Sequence, residues 1–223
     1  MRRGTRAAIG GRAMGRKSIW PRAGTGTTIP AMIRRAVFAS FLVLAISAGG
    51  VLAAAKTVTI SGSAFTPPST TVAIGGSVQW KNTTSKKQTV VSDAPFLWGT
   101  LTIKAHKTKT LVFQQAGSFA YHDSLKAGLK GTIQVPMTAD AVVVSVGNYV
   151  TLTLGNVAPS GPVWHDVVQR FNGGAWSQIA TSEGTTTDVL LSTAGTYEFE
   201  TRLHQALSGW TTGWSPIVTV TAQ

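Results

Sequence analysis

The sequence predicts an all-β protein built from two consecutive β-sandwiches, and two observations support this prediction. Charged residues make up only 13% of the 223 residues, while Thr, Val, Ser and Gly are abundant. This composition favours strands over helices. Beyond residue 55, short runs of alternating apolar and polar residues follow one another, bounded by Gly, Pro or Ser, which is typical of sandwich strands.

The chain begins with a segment that differs from the rest. Residues 1–55 carry nine basic residues and no acid, so they account for +9 of the formal net charge of +12. Residues 1–31 have no apolar periodicity, and we interpret them as a basic disordered extension or a mis-called start before Met32. Because most of the charge lies in this segment, the basic composition does not indicate a nucleic-acid partner.

Residues 32–55 have the features of a secretory signal peptide. Arg34 and Arg35 precede an uncharged run at 36–54, and the run ends in three alanines before Lys56, as cleavage sites do. A membrane anchor is the alternative, because the 19 uncharged residues nearly span a bilayer. Basic residues stay on the cytoplasmic side in either case. We therefore expect a secreted, extracellular or cell-envelope protein, with membrane contact only through residues 36–54 if they are not cleaved.

The composition also excludes several kinds of chemistry. The chain has no cysteine, so disulfides, zinc thiolates and thiol nucleophiles are impossible. It contains no Gly-rich phosphate loop, zinc motif or G-x-S-x-G. The pairs His122-Asp123 and His165-Asp166 lie on predicted strands, where neighbouring side chains point to opposite faces. The sequence therefore predicts no catalytic residues and no enzyme.

The first predicted domain spans residues 56–136, and it contains a series of runs with strand periodicity. These runs are Thr57–Ile60, Thr71–Ile74, Ser77–Trp80, Leu101–Ile103, Thr110–Phe113, Phe119–Tyr121 and Thr132–Val135.

Several short motifs of this domain occur in a recognisable order. They are Phe65-x-Pro67, Gly75 to Trp80 with Asn82, Phe113 with Gly117 and Tyr121, and the closing stretch Phe119–Val135, FAYHDSLKAGLKGTIQV. Their order and spacing resemble those of the cupredoxins, the plastocyanin-like blue-copper proteins. The resemblance implies a Greek-key sandwich and, from the family alone, a copper-binding electron-transfer protein.

The resemblance also implies four metal ligands, and every one of them is replaced. The first histidine position is Gln88, the cysteine position Asp123, the second histidine position Lys126 and the methionine position Leu129. A blue-copper centre needs a thiolate, which this chain lacks. The sequence therefore predicts a degenerate metal site without a cofactor.

The replacing residues suggest a substitute for the metal. We hypothesise that Asp123 and Lys126 form a buried ion pair, that Gln88 hydrogen-bonds to either of them, and that Leu129 caps the pocket. The alternative is that both charged side chains reach solvent, where an ion pair contributes little.

The charge of the first domain favours an anionic partner. Nine lysines face two aspartates in residues 56–136. Lys86, Lys87, Lys126 and Lys130 are expected to converge at the ligand-loop end, with the aromatic Trp98 at or near it. Such a surface suits an acidic protein or an anionic cell-envelope polymer; a solvated basic surface with Trp98 in the core is the alternative.

The second predicted domain spans residues 139–223, after a linker at 136–140. Its predicted strands are Ala141–Ser145, Tyr149–Leu154, Val163–Phe171, Thr187–Leu191, Gly195–Arg202 and Ile217–Val220. The stretch Gly195–Arg202 and the segment Gly213–Pro216 resemble the fibronectin type III family. The resemblance implies a seven-stranded sandwich with Tyr197 as the tyrosine-corner residue and Leu154 at the usual position of a tryptophan.

Aromatic and basic residues recur in this second domain. Trp210 and Trp214 could interleave with Arg202 and Arg170 as a cation–π stack, which would be either a binding face or a structural ladder. Two arginines face six acids in residues 139–223, so this domain is acidic where the first is basic. The two domains are expected to pack on each other or to chain head-to-tail.

These observations lead to one expected function and two alternatives. We expect a secreted or cell-surface binding and adhesion module built on a copper-free cupredoxin-like domain. The alternatives are the plastocyanin-like electron-transfer protein that the family implies, and a structural envelope protein without a discrete ligand.

Overall fold

The computed structural model describes residues 54–223, and every regular element in this range is a strand. The predicted all-β class is therefore confirmed. In the described range no helix is long and apolar enough to cross a bilayer. The predicted extension at 1–31 and the signal peptide up to Ala53 lie outside the described residues.

Nine strands between residues 56 and 135 form two facing sheets. They are β1 Lys56–Ile60, β2 Phe65–Thr66, β3 Ser69–Thr71, β4 Gly76–Asn82, β5 Gln88–Ser92, β6 Thr100–Ile103, β7 Thr108–Phe113, β8 Gly117–Asp123 and β9 Lys126–Val135. One sheet has the order β2-β1-β4-β7 and the other β3-β9-β8-β5-β6. The pairs β1–β4 and β3–β9 are parallel, whereas the other pairs are antiparallel.

The core of this first sandwich follows from the strand alternation. Every second residue of β4 and β8 is buried, because alternate side chains point to the same face. Trp80 is fully buried and meets the ring of Tyr121 edge to face at a centroid distance of 5.5 Å. Phe113 lies on its other side at 6.4 Å. Such aromatic contacts hold the two sheets together.

The closing hairpin differs from the sequence prediction. The predicted strands end at Tyr121 and begin again at Thr132, but β8 runs to Asp123 and β9 already begins at Lys126, so only Ser124 and Leu125 turn the chain. His122 pairs with Lys130 while Asp123 pairs with Lys126. The three extra residues on β9 therefore form a bulge, which accommodates them without lengthening the turn and leaves Leu129 buried.

Eight further strands between residues 138 and 222 form a second pair of sheets. They are β10 Thr138–Ala139, β11 Val143–Val144, β12 Tyr149–Thr153, β13 Val163–Phe171, β14 Ser177–Ser182, β15 Thr186–Leu190, β16 Gly195–Gln205 and β17 Val218–Ala222. Their orders are β10-β12-β15 and β11-β17-β16-β13-β14. Part of the expected linker is therefore a strand, since β10 pairs with β12.

The second sandwich has its own hydrophobic core, in which Leu154 and Phe199 are fully buried. The Tyr197 hydroxyl donates to the carbonyl of Thr193 at 3.1 Å and accepts from the Thr193 N–H at 3.2 Å. This is the contact expected of a tyrosine-corner residue.

The two sandwiches meet at a junction formed by residues 114–118 of the first and residues 154–156 and 211–213 of the second. The backbones of Ser118 and Gly213 exchange hydrogen bonds of 3.0 and 2.9 Å, and Ala116 N–H donates to Leu154 at 2.7 Å. Val163 and Leu203 of the second sandwich join the core cluster of the first. All described residues therefore lie in one compact unit.

Candidate functional site

Three of the four positions that the resemblance assigns to copper ligands lie where β5, β8 and β9 begin or end, and the fourth, Leu129, lies within β9. Gln88 begins β5, Asp123 ends β8 and Lys126 begins β9. Gln88, Asp123 and Leu129 are buried, whereas Lys126 is exposed.

Asp123 is the centre of a buried hydrogen-bond network. Its side chain is completely buried, and its Oδ1 accepts from the Leu125 N–H at 2.9 Å, the Thr89 N–H at 3.3 Å and the Thr89 hydroxyl. The Ser124 N–H donates to Thr89 Oγ1 at 2.9 Å. The carboxylate therefore ties the beginning of β5 to the β8–β9 turn, and the bond to Leu125 is a local turn contact typical of aspartate.

The hypothesised ion pair between Asp123 and Lys126 is wrong. The Lys126 ammonium lies at the surface and donates to the carbonyl of Gly62, and no ion pair joins it to Asp123 among the described residues. Burying an ammonium requires removing its water, whereas the neutral Thr89 hydroxyl and the backbone N–H groups donate to Asp123 Oδ1 without that cost.

The other two replaced positions have different roles. Gln88 bonds to neither Asp123 nor Lys126; its Nε2 donates to Thr84 Oγ1 at 3.1 Å. Leu129 belongs to the first core cluster and closes it on this side, as expected of a capping residue. Gln88 Oε1 and Asp123 Oδ2 are buried without a hydrogen-bond partner.

The donor set at this end does not fit copper. The four positions offer an amide, a carboxylate, an ammonium and an alkyl group, of which the last two cannot ligate a metal. Within residues 54–223, no three His, Asp or Glu side chains are placed to hold a metal ion. The chain also lacks the cysteine that a blue-copper centre requires.

The retained motif residues around the replaced ligands serve packing. The buried ring of Tyr121 lies where a Cβ on residue 131 would stand, so glycine is required there. Burial raises the pKa of Tyr121 to about 12. The motif residues that carry the family resemblance therefore serve to fill the core of the first sandwich.

Lysines from two loops and from β9 surround this end of the first sandwich. Asn82 Nδ2 donates to the carbonyls of Lys86 at 2.8 Å and Lys104 at 3.1 Å, and its N–H donates to Lys107 at 2.9 Å. The buried amide therefore holds the β4–β5 loop against the β6–β7 turn. We call the exposed lysines here the lysine-rich end: Lys86, Lys87, Lys104, Lys107, Lys126 and Lys130.

One exposed carboxylate lies near these six lysines in the described part of the first sandwich. Its two acids are Asp93 and Asp123. Asp123 is buried, whereas Asp93 is exposed and contacts the imidazole of His122, the register partner of Lys130, at 2.5 Å. Leu125, at the tip of the β8–β9 turn, is 51% exposed. The lysine-rich end is therefore a positive surface around one apolar side chain.

Trp98 does not lie with these lysines. β5 runs from Gln88 at the lysine-rich end to Ser92 near the junction, so the loop that follows β5 lies at the junction. Trp98 packs edge to face on Phe113 at 5.6 Å and lines a groove with Leu203 of the second sandwich. The sequence alone did not show the direction of β5, because that strand was not predicted.

Two adjoining grooves at the junction were also not predicted. They measure about 290 and 280 Å³ and share Leu97, Gln114, Gln115 and Leu203. Their lining is mainly apolar and comes from both sandwiches, and no short sequence motif marks such a surface.

A buried histidine spans the same junction. His165 Nε2 donates to the side-chain carbonyl of Gln115 at 2.9 Å, because the Gln115 amide nitrogen is already donating to Val157. Its Nδ1 lies 3.2 Å from Thr201 Oγ1. Burial lowers the pKa of His165 to about 4, although the charge of Asp166 opposes this shift.

The predicted aromatic and basic residues of the second sandwich do not form one stack. Arg202 lies over Trp214 at 4.4 Å, while Arg170 lies over Trp176, which was not predicted, at 4.8 Å. Trp210 stacks on neither arginine; it is half exposed and lies beside Asp93. Arg170 also makes two hydrogen bonds to Glu198, which lower the pKa of that carboxyl.

The residue pattern of the first sandwich resembles that of the cupredoxins, and its ligand end offers no thiolate for a blue-copper ion. Neither a protein-family model nor a curated protein matches the chain. Among solved structures, it is similar to an oxidised amicyanin variant at 26% identity, covering 36% of this chain and 81% of that one, with a TM-score of 0.34. It is also similar to a Cu(I) form of another amicyanin variant at pH 4, at 26% identity over 37% and 82% of the chains, again with a TM-score of 0.34.

Proposed function

We propose that this chain is a secreted or cell-surface binding module, not an enzyme, whose copper-free cupredoxin-like sandwich binds an acidic protein surface through the lysine-rich end. The observation that carries the proposal is the grouping of six exposed lysines, near which the described first sandwich has a single exposed carboxylate, that of Asp93. A surface of one sign attracts an oppositely charged partner and speeds its association.

The geometry of the lysine-rich end supports a binding role. Asn82 and Asp123 fix the loops that carry the lysines through buried hydrogen bonds. A surface on fixed loops loses little conformational entropy on binding. The exposed Leu125 at its centre adds apolar area, which is a feature of protein interfaces rather than of a merely solvated surface.

The electron-transfer function of the resembling family is disfavoured by the donor set. After loading with Cu(II), the protein is expected to retain no stoichiometric copper and to show no thiolate charge-transfer colour, because no thiolate exists. Elemental analysis and visible absorption check this expectation. Tight binding of one copper per chain would return the electron-transfer alternative to consideration.

Binding to a model acidic chain tests the role of the lysines. Poly-L-glutamate is expected to bind at low salt, and Lys86→Glu with Lys87→Glu is expected to weaken that binding by about tenfold. The matched control compares the single variants Lys86→Glu and Lys56→Glu, which make the same change in net charge; Lys56 is exposed and pairs with Val78, on the part of β4 away from Asn82. Equal losses in these two single variants would show a general charge effect and would count against a defined binding end.

A further inference from the structure

The second sandwich carries exposed apolar residues at its own end, away from the junction. β12 runs from Tyr149 to Thr153, and the next residue, Leu154, is bonded at the junction, so Tyr149 lies at the opposite end. Tyr149 pairs across the strands with Leu190, and these side chains are 64% and 45% exposed. Exposed apolar groups that are contiguous in this way often mark an interaction site.

Two carboxylates stand next to this apolar pair. Asp140 Oδ1 accepts from the Thr151 N–H at 3.0 Å, and Asp188 Oδ1 accepts from the Thr151 hydroxyl at 2.7 Å. Thr151 and Asp188 are each two residues along the strand from Tyr149 and Leu190, so all four share one face. We call Asp140, Asp188, Tyr149 and Leu190 the acidic tip.

No positive side chain of the described second sandwich neutralises the acidic tip. Its basic residues are Arg170 and Arg202, both on the other sheet. Arg170 is engaged by Glu198 and Arg202 by Asp166. The acidic tip therefore presents two exposed carboxylates beside two apolar side chains.

The acidic tip matches the lysine-rich end in both charge and apolar character. One surface has six lysines around Leu125, and the other has two carboxylates beside Tyr149 and Leu190. They lie at opposite ends of the compact unit, each away from the junction. A chain cannot therefore bring its own two surfaces together, whereas two copies can.

We propose that the acidic partner of the lysine-rich end is the acidic tip of a second copy of this chain. This inference rests on the proposed function, because it names the partner of the same surface. Each copy contributes a different surface to the contact, so the interface is heterologous, and its repetition produces a ring or an open assembly according to whether the rotation between copies closes. Leu125 packs against Tyr149 and Leu190 while the lysines approach Asp140 and Asp188.

Sedimentation velocity of residues 54–223, the part of the chain that contains both hydrophobic cores, tests this inference. The wild-type chain is expected to sediment faster as its concentration rises, and about 0.5 M salt is expected to reverse the effect. The double variants Lys86→Glu with Lys87→Glu, and Asp140→Lys with Asp188→Lys, are each expected to remain monomeric. Their equimolar mixture is expected to associate in pairs, because the intact lysine-rich end of the Asp variant then meets the intact acidic tip of the Lys variant.

Two controls accompany these variants. Lys56→Glu, compared with the single variant Lys86→Glu, is expected to associate like the wild type, because Lys56 lies toward the other end of β4. Leu125→Ser changes no charge and lies outside the Thr151 network. It is expected to weaken association by about tenfold. This variant therefore tests the inference even if the Asp140→Lys variant does not fold. Circular dichroism of each variant reports whether it is folded.

The outcomes separate this inference from the proposed function. A wild-type chain that is monomeric at every concentration and salt overturns the inference. If poly-L-glutamate binding still depends on Lys86 and Lys87 in that case, the lysine-rich end binds some other acidic surface and the proposed function stands. If neither association nor poly-L-glutamate binding depends on these lysines, both proposals fail.

Discussion

Replacing Asp123 with alanine is expected to lower the free energy of unfolding by about 2 kcal/mol, within the range for leaving buried donors unsatisfied. The carboxylate accepts from the Thr89 and Leu125 N–H groups and from the Thr89 hydroxyl. In the variant these donors lose their partner, and the two Thr89 donors lose it in a buried place. Urea denaturation measures the change directly.

Two control variants make this prediction specific. Asp123→Asn keeps the oxygen that accepts these bonds, so we expect it to retain most of the stability, apart from the share that the charge adds. Lys126→Ala is expected to have little effect, because the ammonium contacts only the Gly62 carbonyl at the surface. If Lys126→Ala were as destabilising as Asp123→Ala, an ion pair would have to join these residues in solution.

Acidification is expected to destabilise the protein through His165, by about 2 kcal/mol between pH 7 and pH 5. Burial lowers the pKa of His165 from 6.5 to about 4 in the folded protein. A histidine with a lowered pKa contributes its full stability above the unfolded value of 6.5. That contribution is lost as the pH falls from 6.5 towards 4, because only the unfolded chain readily takes up the proton.

A comparison with His165→Gln isolates this contribution. Glutamine does not titrate, so the variant is expected to show a flatter dependence of unfolding free energy on pH in this window. Two glutamates titrate differently. Arg170 lowers the pKa of Glu198, so protonation of Glu198 changes the stability only below pH 4.5. Burial raises the pKa of Glu200, so the protonation of Glu200 on acidification acts in the opposite direction to that of His165. Equal slopes in the wild type and the variant would show that His165 is accessible to protons in the folded protein.

The strands of both sandwiches were predictable where their residues alternate clearly. β13 has the predicted bounds, and β4, β7 and β12 differ from them by a few residues. β5 and β14 were missed, and β3 was placed too late in the chain. The sequence Lys126–Gly131 has no alternation because a bulge interrupts it, so the early beginning of β9 could not be predicted.

The candidate site was predictable in part. The lysines of β9 and the β4–β5 loop were expected at one end, but Lys104 and Lys107 were not included, because the contact through Asn82 joins residues about twenty positions apart. Trp98 was expected at the same end, and only the direction of β5 places it at the junction. The acidic tip depends on pairing between β12 and β15, which local sequence does not specify.

The sequence by itself determined the all-β class and the loss of the blue-copper centre. The first follows from local alternation, and the second from the identity of the residues, because no arrangement can supply a thiolate without a cysteine. Only the tertiary structure decided which group satisfies Asp123, which loops share the lysines and which aromatic residues lie at the junction. These depend on strand direction and on contacts between distant residues, where solvation and hydrogen-bond geometry select one partner among several that the sequence allows.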